Sequence, residues 1–380
     1  MSMNSFRIPP ATEGTSLAAM ACLAKLKAVS SLHKITSLSP LEAVSLYFDS
    51  LTEDIDSRQP AWTVRAALPS EVIDYAHDCL NFDSFSPSDS GWKAWFAHEE
   101  SFEKPFLYFS TASSIEKLST LLNELGERGI LFNDMERHRH WLPKGVKPTV
   151  PIWLASNLDL TPYDPATGYE AQVIVEQSLH QLYIGKKPGF IYQALHDDNW
   201  PKLHQIPLAR SEDIINGMYK VYPSVSLSTS KRISLLGAGS ILKNVLETSK
   251  ILWNDWGITS DIWSCPSYTK LARDAAQLKQ LQMMCSDEQH ETSHLERCLG
   301  SINNPVLAVS GYQQLIPQQI SQFIKSKFSA FGADTIPNRS AGETFPLTKW
   351  LVYFSLKLLA DDGRIPNSIL SAALYKYELA

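Results

Sequence analysis

The sequence predicts an α/β protein of two domains, preceded by a mainly helical N-terminal region. Its 380 residues are about two to three times the length of a typical domain. From about residue 100, short apolar runs alternate with amphipathic helical stretches, which is the pattern of a largely parallel sheet. Residues 199–231, rich in proline and serine, interrupt this alternation and are predicted to form a linker. The two domains are therefore expected at residues 101–198 and 232–380.

The N-terminal region, residues 1–100, has helical patterns and no convincing strand. Apolar residues recur at helical spacing in 16–29, 41–51 and 70–80, and turns rich in serine and aspartate separate these stretches. We therefore expect a divergent helical segment that precedes the α/β domains.

The first α/β domain is predicted from apolar runs that alternate with helical spacing. Strands are expected at 106–109, 130–132, 150–154 and 190–195, and helices at 115–125 and 168–183. Ser113 and Ser114 are candidate N-caps of the first of these helices, and Gly126 ends it.

The second α/β domain repeats the same alternation. Strands are expected at 233–236, 261–264 and 306–309, and helices at 241–255, 271–285, 317–328, 348–360 and 367–377. The helix that contains Trp350 to Ala360 is apolar nearly all round, so it must be buried on more than one side. Either the last helix or a second subunit covers it, and we expect a homodimer.

The composition is that of a globular, mildly acidic protein. Hydrophobic residues make up 44% of the chain, and 34 Lys and Arg stand against 40 Asp and Glu, which gives a net charge of -6. This charge provides no overall basic field for phosphate backbones, so no nucleic-acid partner is expected.

The apolar runs are shorter than the roughly 20 residues that cross a bilayer, and no membrane contact is expected. The first ten residues lack the apolar core of a secretory signal. We therefore expect a cytoplasmic chain whose five cysteines are free thiols.

The turn from Gly237 to Ser240 lies between a predicted strand and a predicted helix, where backbone N–H groups can hold a phosphate. Its Gly-Ala-Gly sequence is only part of a dinucleotide fingerprint, because Leu242 stands where the third glycine would be. A tight turn that requires small residues is the favoured interpretation.

His290 to His294 matches the HExxH pattern, in which two histidines one helical turn apart bind zinc and the glutamate activates water. No further histidine follows His294, and the flanking residues are polar, as in an exposed helix start. A zinc hydrolase is therefore a remote alternative.

His138 and His140 follow a predicted strand and the acidic residues Asp134 and Glu136. Ligands of α/β proteins bind at the carboxyl ends of the strands, where two histidines could act as acid–base groups or anion donors. We take His138 and His140 as the candidate catalytic residues, with an exposed basic loop as the alternative.

From about residue 158 to the end, the order of segments resembles the C-terminal half of the homodimeric-type pyruvate dehydrogenase decarboxylating component, in the transketolase-like superfamily. The segments that carry this resemblance are Tyr163–Glu170, Arg232–Leu242, Asp261–Ser264, Ser267–Asp274 and Asn304–Tyr312. It covers about 220 residues and implies two transketolase-like α/β domains, one of the pyrimidine-binding type and one of the C-terminal type.

The resemblance also implies thiamine diphosphate chemistry on a 2-oxo acid such as pyruvate. In the family a first domain holds the diphosphate and Mg²⁺, and this chain lacks both that domain and its Gly-Asp-Gly motif. Thiamine diphosphate and Mg²⁺ are therefore expected only at an interface with a partner chain, and none is expected for the chain alone. The family's glutamate that activates the cofactor has no counterpart in residues 30–130, while His138 and His140 lie near the position of its histidine-rich loop.

Two functions follow from this resemblance. The chain is either one subunit of a split enzyme, completed by a partner that supplies the diphosphate-binding domain, or a catalytically inactive paralogue with a binding, regulatory or assembly role. In the family the C-terminal domain mainly supports dimerisation, which agrees with the expected homodimer. The segment that holds His290 and His294 binds no metal in the family, which weakens the zinc interpretation.

Overall fold

The computed structural model describes residues 9–52, 60–65, 101–112, 114–125, 127–135, 147–198, 209–221, 231–284, 291–335 and 347–379. The chain forms two units. The first holds most of the chain up to residue 201, and the second holds residues 202–380 together with 141–144 and 164–166.

The first unit is built on a five-stranded parallel sheet. Its strands are β1 (Trp62–Arg65), β2 (Phe106–Ser110), β3 (Arg128–Asn133), β4 (Leu160–Tyr163) and β5 (Gly189–Ala194), in the order β1-β2-β3-β5-β4. Every residue of β3 is buried, as expected of a central strand in a parallel sheet that is covered on both faces.

Helices accompany this sheet. They are α1 (Glu13–Leu32), α2 (Pro40–Thr52), α3 (Ile115–Leu125), α4 (Thr149–Ser156) and α5 (Gly168–Leu179), which continues into a π-helical turn, His180–Ile184. A capping box starts α2, because the Glu42 amide donates to the Ser39 hydroxyl (3.1 Å) and the Ser39 amide donates to the Glu42 carboxylate (2.8 Å). Pro40 follows at the first helical position, which needs no amide donor.

The N-terminal helices share the core of the first unit. α1 packs against α2 and the π-helical turn, and α2 packs against α5. The expectation that residues 1–100 hold no strand is wrong, since β1 pairs with β2 at the sheet edge. The predicted helices at 16–29 and 41–51 correspond to α1 and α2, and the stretch 70–80 lies outside the described residues.

The strand predicted at 150–154 is wrong, because these residues lie in α4. A short apolar run does not distinguish a buried strand from a buried helical turn. The missing strand is β4, which lies at the other edge of the sheet and pairs with β5 alone. An edge strand tolerates Pro162, which has no amide to donate.

The second unit contains a second five-stranded sheet. Its strands are β6 (Tyr219–Lys220), β7 (Arg232–Gly237), β8 (Thr259–Ser264), β9 (Val306–Val309) and β10 (Phe328–Phe331), in the order β10-β9-β7-β8-β6. All pairs are parallel except β6, which runs antiparallel to β8. The helices are α6 (Ser211–Ile215), α7 (Leu242–Trp256), α8 (Tyr268–Met284), α9 (His294–Leu299), α10 (Leu315–Gln318), α11 (Leu347–Asp361) and α12 (Ser368–Tyr377).

Two expectations for this part of the chain need correction. The helix predicted at 317–328 is limited to the last residues of α10 and a 3₁₀ turn, Ser321–Phe323, and Phe328 already begins β10. Within the predicted linker 199–231, the structure places α6 and the edge strand β6, so part of that stretch belongs to the second sheet.

The apolar helix α11 is covered largely within its own unit. It packs against α7 and α12, and Tyr377 of α12 holds the end of α7 by donating to Asp255 (2.6 Å) and accepting from the Trp256 indole (2.9 Å). Three aromatic residues of α11 remain half-buried and form one ring cluster: Trp350, Tyr353 and Phe354. The last helix, α12, therefore covers α11. The sequence alone had left this covering to either the last helix or a second subunit.

Among the described residues, α1 is the one helix whose length and hydropathy would allow it to cross a membrane. Its inner residues, including Cys22, Leu23 and Leu26, are buried in the first unit. Core helices of globular proteins pass the same test of length and hydropathy.

Asp261 joins three strands of the second sheet. Its carboxylate accepts two hydrogen bonds from the Arg232 guanidinium, both 2.7 Å, and lies 2.6 Å from the Lys220 ammonium. Burial alone would raise the pKa of Asp261, but the hydrogen bonds from Arg232 and Lys220 outweigh it and hold the pKa below its usual value. Asp261 therefore stays ionised and ties β6 and β7 to β8.

The substitution Asp261→Asn should lower the free energy of unfolding by about 2–3 kcal/mol, because two cations lose their counter-ion. Urea unfolding at pH 7 measures this loss. Asp274→Asn, which removes the half-exposed partner of Lys270, should cost less than about 0.5 kcal/mol. Because the pKa of Asp261 is lowered in the folded state, the contribution of Asp261 to stability is present above about pH 4. This contribution is lost as the pH falls through the pKa of the folded state. Equal losses in the two variants would contradict this assignment.

A second buried ion pair lies at the amino ends of the first sheet. Glu103 is almost fully buried and its carboxylate contacts the Arg128 guanidinium at the start of β3. Burial raises the pKa of Glu103 to about 7, although the Arg128 charge lowers it. The neighbouring Glu127, which also contacts Arg128 and is 79% exposed, raises the pKa of Glu103 slightly further.

We predict that wild-type stability falls relative to Glu103→Gln as the pH rises from about 4.5 to about 7. The folded state binds the Glu103 proton more tightly than the unfolded chain does. The resulting stabilisation is complete below the pKa of the unfolded chain and is lost as the pH rises through the pKa of the folded state. Urea unfolding across this pH range should show a change on the order of 1 kcal/mol. The control Glu127→Gln should stay close to the wild-type curve, shifted only slightly because its charge raises the pKa of Glu103 least of the causes. Parallel curves for Glu103→Gln would contradict the raised pKa.

Candidate functional site

The candidate site lies at the carboxyl ends of β2, β3 and β5 in the first unit. Parallel α/β sheets bind ligands at this edge, where the loops after the strands converge. The amide of Leu41 donates to the His196 carbonyl (3.1 Å), so the N-terminus of α2 lies at the end of β5. That helix end contributes partial positive charge to the edge.

Asn133, the last residue of β3, fixes the geometry of this edge. Its side-chain amide donates to the Ala112 carbonyl (2.8 Å) and to the Tyr192 hydroxyl (2.9 Å), and its side-chain oxygen accepts from the amides of Ala112 (3.2 Å) and Met135 (3.1 Å). Asn133 is almost fully buried. It therefore holds together the loop after β2, the loop after β3 and the side chain of Tyr192 in β5.

Asp134 places a buried carboxylate at the same edge. The Thr111 hydroxyl donates to it (2.7 Å), and the Asp134 amide donates to the Ser110 carbonyl (3.1 Å). Thr111 and Asp134 follow neighbouring strands, so the sheet register brings them together. A buried carboxylate beside a hydroxyl can hold or transfer a proton at a ligand.

Gln193 adds a buried polar side chain one strand further along the sheet. It is 0% exposed and lies in register with Phe132 of β3 and Tyr163 of β4. Within the part of the chain that the structure describes, neither atom of its side-chain amide has a hydrogen-bond partner. Such a group is expected to bind an ordered water or a ligand.

The predicted catalytic residues His138 and His140 lie in the segment 136–146, outside the described residues. Their role stays a prediction. The last described residue before this segment is Met135, whose amide donates to the Asn133 side chain.

Sequence reasoning missed Asn133, Thr111 and Gln193. The signal was present in part, because Asn133 directly follows the apolar run of β3 and Gln193 interrupts that of β5. The sequence does not show which polar groups these side chains meet.

The glycine turn after β7 is a structural turn. The Gly239 amide donates to the Asp164 carbonyl (3.0 Å), and the Asp164 amide donates to the Pro266 carbonyl (2.6 Å). Gly239 has a φ of +54°, which favours glycine. Since this turn holds the chain's own carbonyl, the interpretation as a tight turn of small residues is confirmed.

In the HExxH segment, the His294 side chain is engaged by the backbone. His294 is buried, and its Nε2 lies 2.7 Å from the Met218 carbonyl, with the Cys298 sulfur 3.6 Å away. His290 lies outside the described residues and Glu291 is exposed. In the described ranges, no group of three or more His, Cys, Asp or Glu could hold a metal ion. The bond from His294 to the backbone is our physical reason against the zinc hydrolase.

The fold is similar to that of transketolases, and part of the chain matches a domain of that type. Residues 217–337 match the model of the transketolase-like C-terminal domain. Among solved structures, the chain is similar to a transketolase mutant from Pichia stipitis in complex with xylulose 5-phosphate, with a TM-score of 0.55 and 15% identity over 85% of this chain and 46% of that one. It is also similar to a split-gene transketolase described as an inactive β4 tetramer, with a TM-score of 0.52 and 12% identity over 85% of this chain and 99% of that one. At these identities the likenesses establish the fold.

Sequence relatives point more narrowly to pyruvate dehydrogenase. The chain is 30% identical over 222 residues to the pyruvate dehydrogenase E1 component of Cupriavidus necator, and 27% identical over 224 residues to that of Escherichia coli K12. Each match covers 57% of this chain and 25% of the relative. The resemblance to the C-terminal half of this enzyme component is confirmed, and the chain spans only part of its relatives.

The substitution Asn133→Ala should cost about 2–3 kcal/mol of unfolding free energy, because buried groups of Ala112 and Tyr192 lose their partner. Urea unfolding measures the loss, and hydrogen exchange at the amides of Ala112 and Met135 should accelerate. Asn157→Ala is the control, since the Asn157 side chain accepts one exposed turn bond, from the Asp159 amide, and should cost less than about 1 kcal/mol. Unchanged exchange at both amides would show that Asn133 does not hold the edge.

Proposed function

We propose that this chain is one subunit of a thiamine diphosphate-dependent enzyme that decarboxylates a 2-oxo acid of the pyruvate type. It provides the pyrimidine-binding-type and C-terminal domains, and a partner chain provides the diphosphate-binding domain. The observation that carries this proposal is the similarity to pyruvate dehydrogenase E1 components, at 30% and 27% identity over 57% of this chain. The fold similarity to a split-gene transketolase subunit over 99% of that chain supports it.

The described residues do not fit the diphosphate and Mg²⁺ half of the cofactor site. No described group of carboxylates, histidines or cysteines could hold the metal, and the glycine turn after β7 already binds the Asp164 carbonyl. We therefore assign both to the partner chain, and expect neither thiamine diphosphate nor Mg²⁺ to bind this chain alone. Thiamine diphosphate bound between the two chains would supply the nucleophilic carbon that decarboxylation of a 2-oxo acid requires.

The carboxyl edge of the first sheet is the part of this chain that suits the ring end of a ligand. Asp134 offers a carboxylate that can exchange a proton, and the Gln193 amide offers a donor and an acceptor without a described partner. Asn133 positions the loops on both sides of Asp134. In this proposal His138 and His140 act as acid–base groups.

For assembly, we propose a homodimer through the C-terminal domain in addition to the partner chain. The half-buried ring cluster of Trp350, Tyr353 and Phe354 on α11 has the aromatic composition that is typical of interface centres. We expect the complex to act in the cytoplasm, without nucleic acid or membrane.

The second candidate function is an inactive paralogue with a binding or regulatory role. The observation that favours it is Asp134 itself, since the family's activating residue is a glutamate and the described edge offers a shorter side chain held by Thr111. The cofactor experiment below separates the two functions.

Calorimetric titration with thiamine diphosphate and Mg²⁺ should show micromolar binding for a mixture of this chain with a chain carrying the Gly-Asp-Gly motif. Neither chain alone should bind, and only the mixture should oxidise pyruvate with an artificial electron acceptor. Asp134→Asn should lower the rate of the mixture about 10²–10⁴-fold. Asp159→Asn, a control on an exposed carboxylate before β4, should leave the rate unchanged.

Saturable micromolar binding by this chain alone would contradict the division of the cofactor site. If no such mixture binds thiamine diphosphate, the enzyme proposal fails and the inactive paralogue remains. Binding by the mixture with no effect of Asp134→Asn would sink the role of Asp134 alone.

A further inference from the structure

Helix α1 has an apolar face on each side, and only one of them is covered. The inner face holds the buried residues Thr15, Ala18, Ala19, Cys22, Leu23 and Leu26. The outer face holds the exposed residues Glu13, Leu17, Met20, Ala21, Ala24, Lys27, Ala28, Ser31 and Leu32. Leu17 is 58% exposed and Met20 47%. At 100° per residue these exposed positions form one continuous stripe along the helix.

The order of residues along this stripe is asymmetric. The large side chains Leu17 and Met20 lie in its N-terminal half, and the small side chains Ala21, Ala24 and Ala28 lie in its C-terminal half. The charges are asymmetric too, with Glu13 at one end and Lys27 toward the other. In the described part of the structure, neither Glu13 nor Lys27 has an ion-pair partner.

This asymmetry makes the stripe complementary to itself in the antiparallel direction. A two-fold axis between Met20 and Ala21 places Leu17 opposite Ala24 and Met20 opposite Ala21, so each large side chain meets a small one. The same axis brings Glu13 of one copy beside Lys27 and Ala28 of the other. A parallel pairing would instead place Leu17 against Leu17 and Lys27 against Lys27.

We propose that α1 is a self-association surface, which pairs antiparallel with α1 of a second copy of this chain. Such an interface is isologous, since each copy uses the same patch. It lies in the first unit and is separate from the ring cluster on α11. The inference does not depend on the enzymatic function.

Sedimentation velocity of the full chain over a range of micromolar concentrations tests the association. The double variant Leu17→Glu, Met20→Glu should weaken it at least tenfold and yield a species of half the wild-type mass. These residues are exposed, so circular dichroism and the melting temperature should stay unchanged. Leu32→Glu is the matched control, because Leu32 is 81% exposed on the same helix but its pairing position falls beyond the helix start. It should leave the association unchanged.

Charge exchange tests the direction of pairing. Glu13→Lys and Lys27→Glu should each weaken the association, and the two together should restore it.

Cysteine cross-linking locates the axis. Ala21→Cys should form an intermolecular disulfide under mild oxidation, since Ala21 lies next to the two-fold axis. Ala28→Cys should not, because the two copies of Ala28 are about 22 Å apart along the helices, far beyond disulfide reach. The wild-type chain gives the background from native cysteines.

Four outcomes would overturn the proposal. One is a constant mass of 42.5 kDa at all concentrations, and another is a double variant whose mass equals that of the wild type at every concentration. The third is equal cross-linking at positions 21 and 28, which would indicate parallel pairing. Binding of the wild-type chain to anionic lipid vesicles, lost in the double variant without any change in mass, would assign the stripe to a membrane surface and also reject the proposal.

Discussion

A parallel sheet is stable in water only when both of its faces are covered, and this constraint shapes both units. In the first unit all residues of β3 are buried. The helices that precede the sheet in sequence are part of its cover, because α2 packs on α5 and α1 packs on α2 and the π-helical turn. The capping box at Ser39 and the bond from Leu41 to the His196 carbonyl start α2 at the end of β5. Residues with little resemblance to the relatives therefore still complete the core.

Burial of both faces leaves the strand ends as the place where polar side chains can meet a ligand, and the described ends differ in chemistry. At the amino ends of the first sheet, Glu103 and Arg128 form a buried ion pair. A cleft of about 450 Å³ opens nearby, beside Asp159 and Gly189, away from the carboxyl edge. After β7 in the second sheet, the glycine turn binds a carbonyl of the chain itself. The carboxyl edge of the first sheet differs, because Asn133 orders it while the Gln193 amide keeps both atoms without a described partner.

The sequence was sufficient where burial alone decides the structure. The runs of β2, β3, β7 and β9 are apolar and lie between turn residues, so they were predicted correctly. It failed where the same apolar residues suit two structures, as at 150–154, and where a short strand such as β1 depends on its neighbour. Of the candidate site, the acidic residue after β3 was noticed, but the contact between Thr111 and Asp134 depends on strand register. The order β1-β2-β3-β5-β4 is a long-range property that no local pattern contains.

The exposed surfaces described above lie outside the buried cores of the two units. Each unit has its own buried sheet, and the apolar helix α11 is covered largely by α7 and α12. The outer stripe of α1 and the half-buried ring cluster of α11 therefore lie outside hydrophobic cores that are already buried within each unit. Loss of a partner at such a surface removes an interface but little core, so the single chain stays folded. An active subunit and an inactive paralogue would then share one fold. They would differ in whether a cofactor binds to the assembled state and stabilises it by its binding free energy.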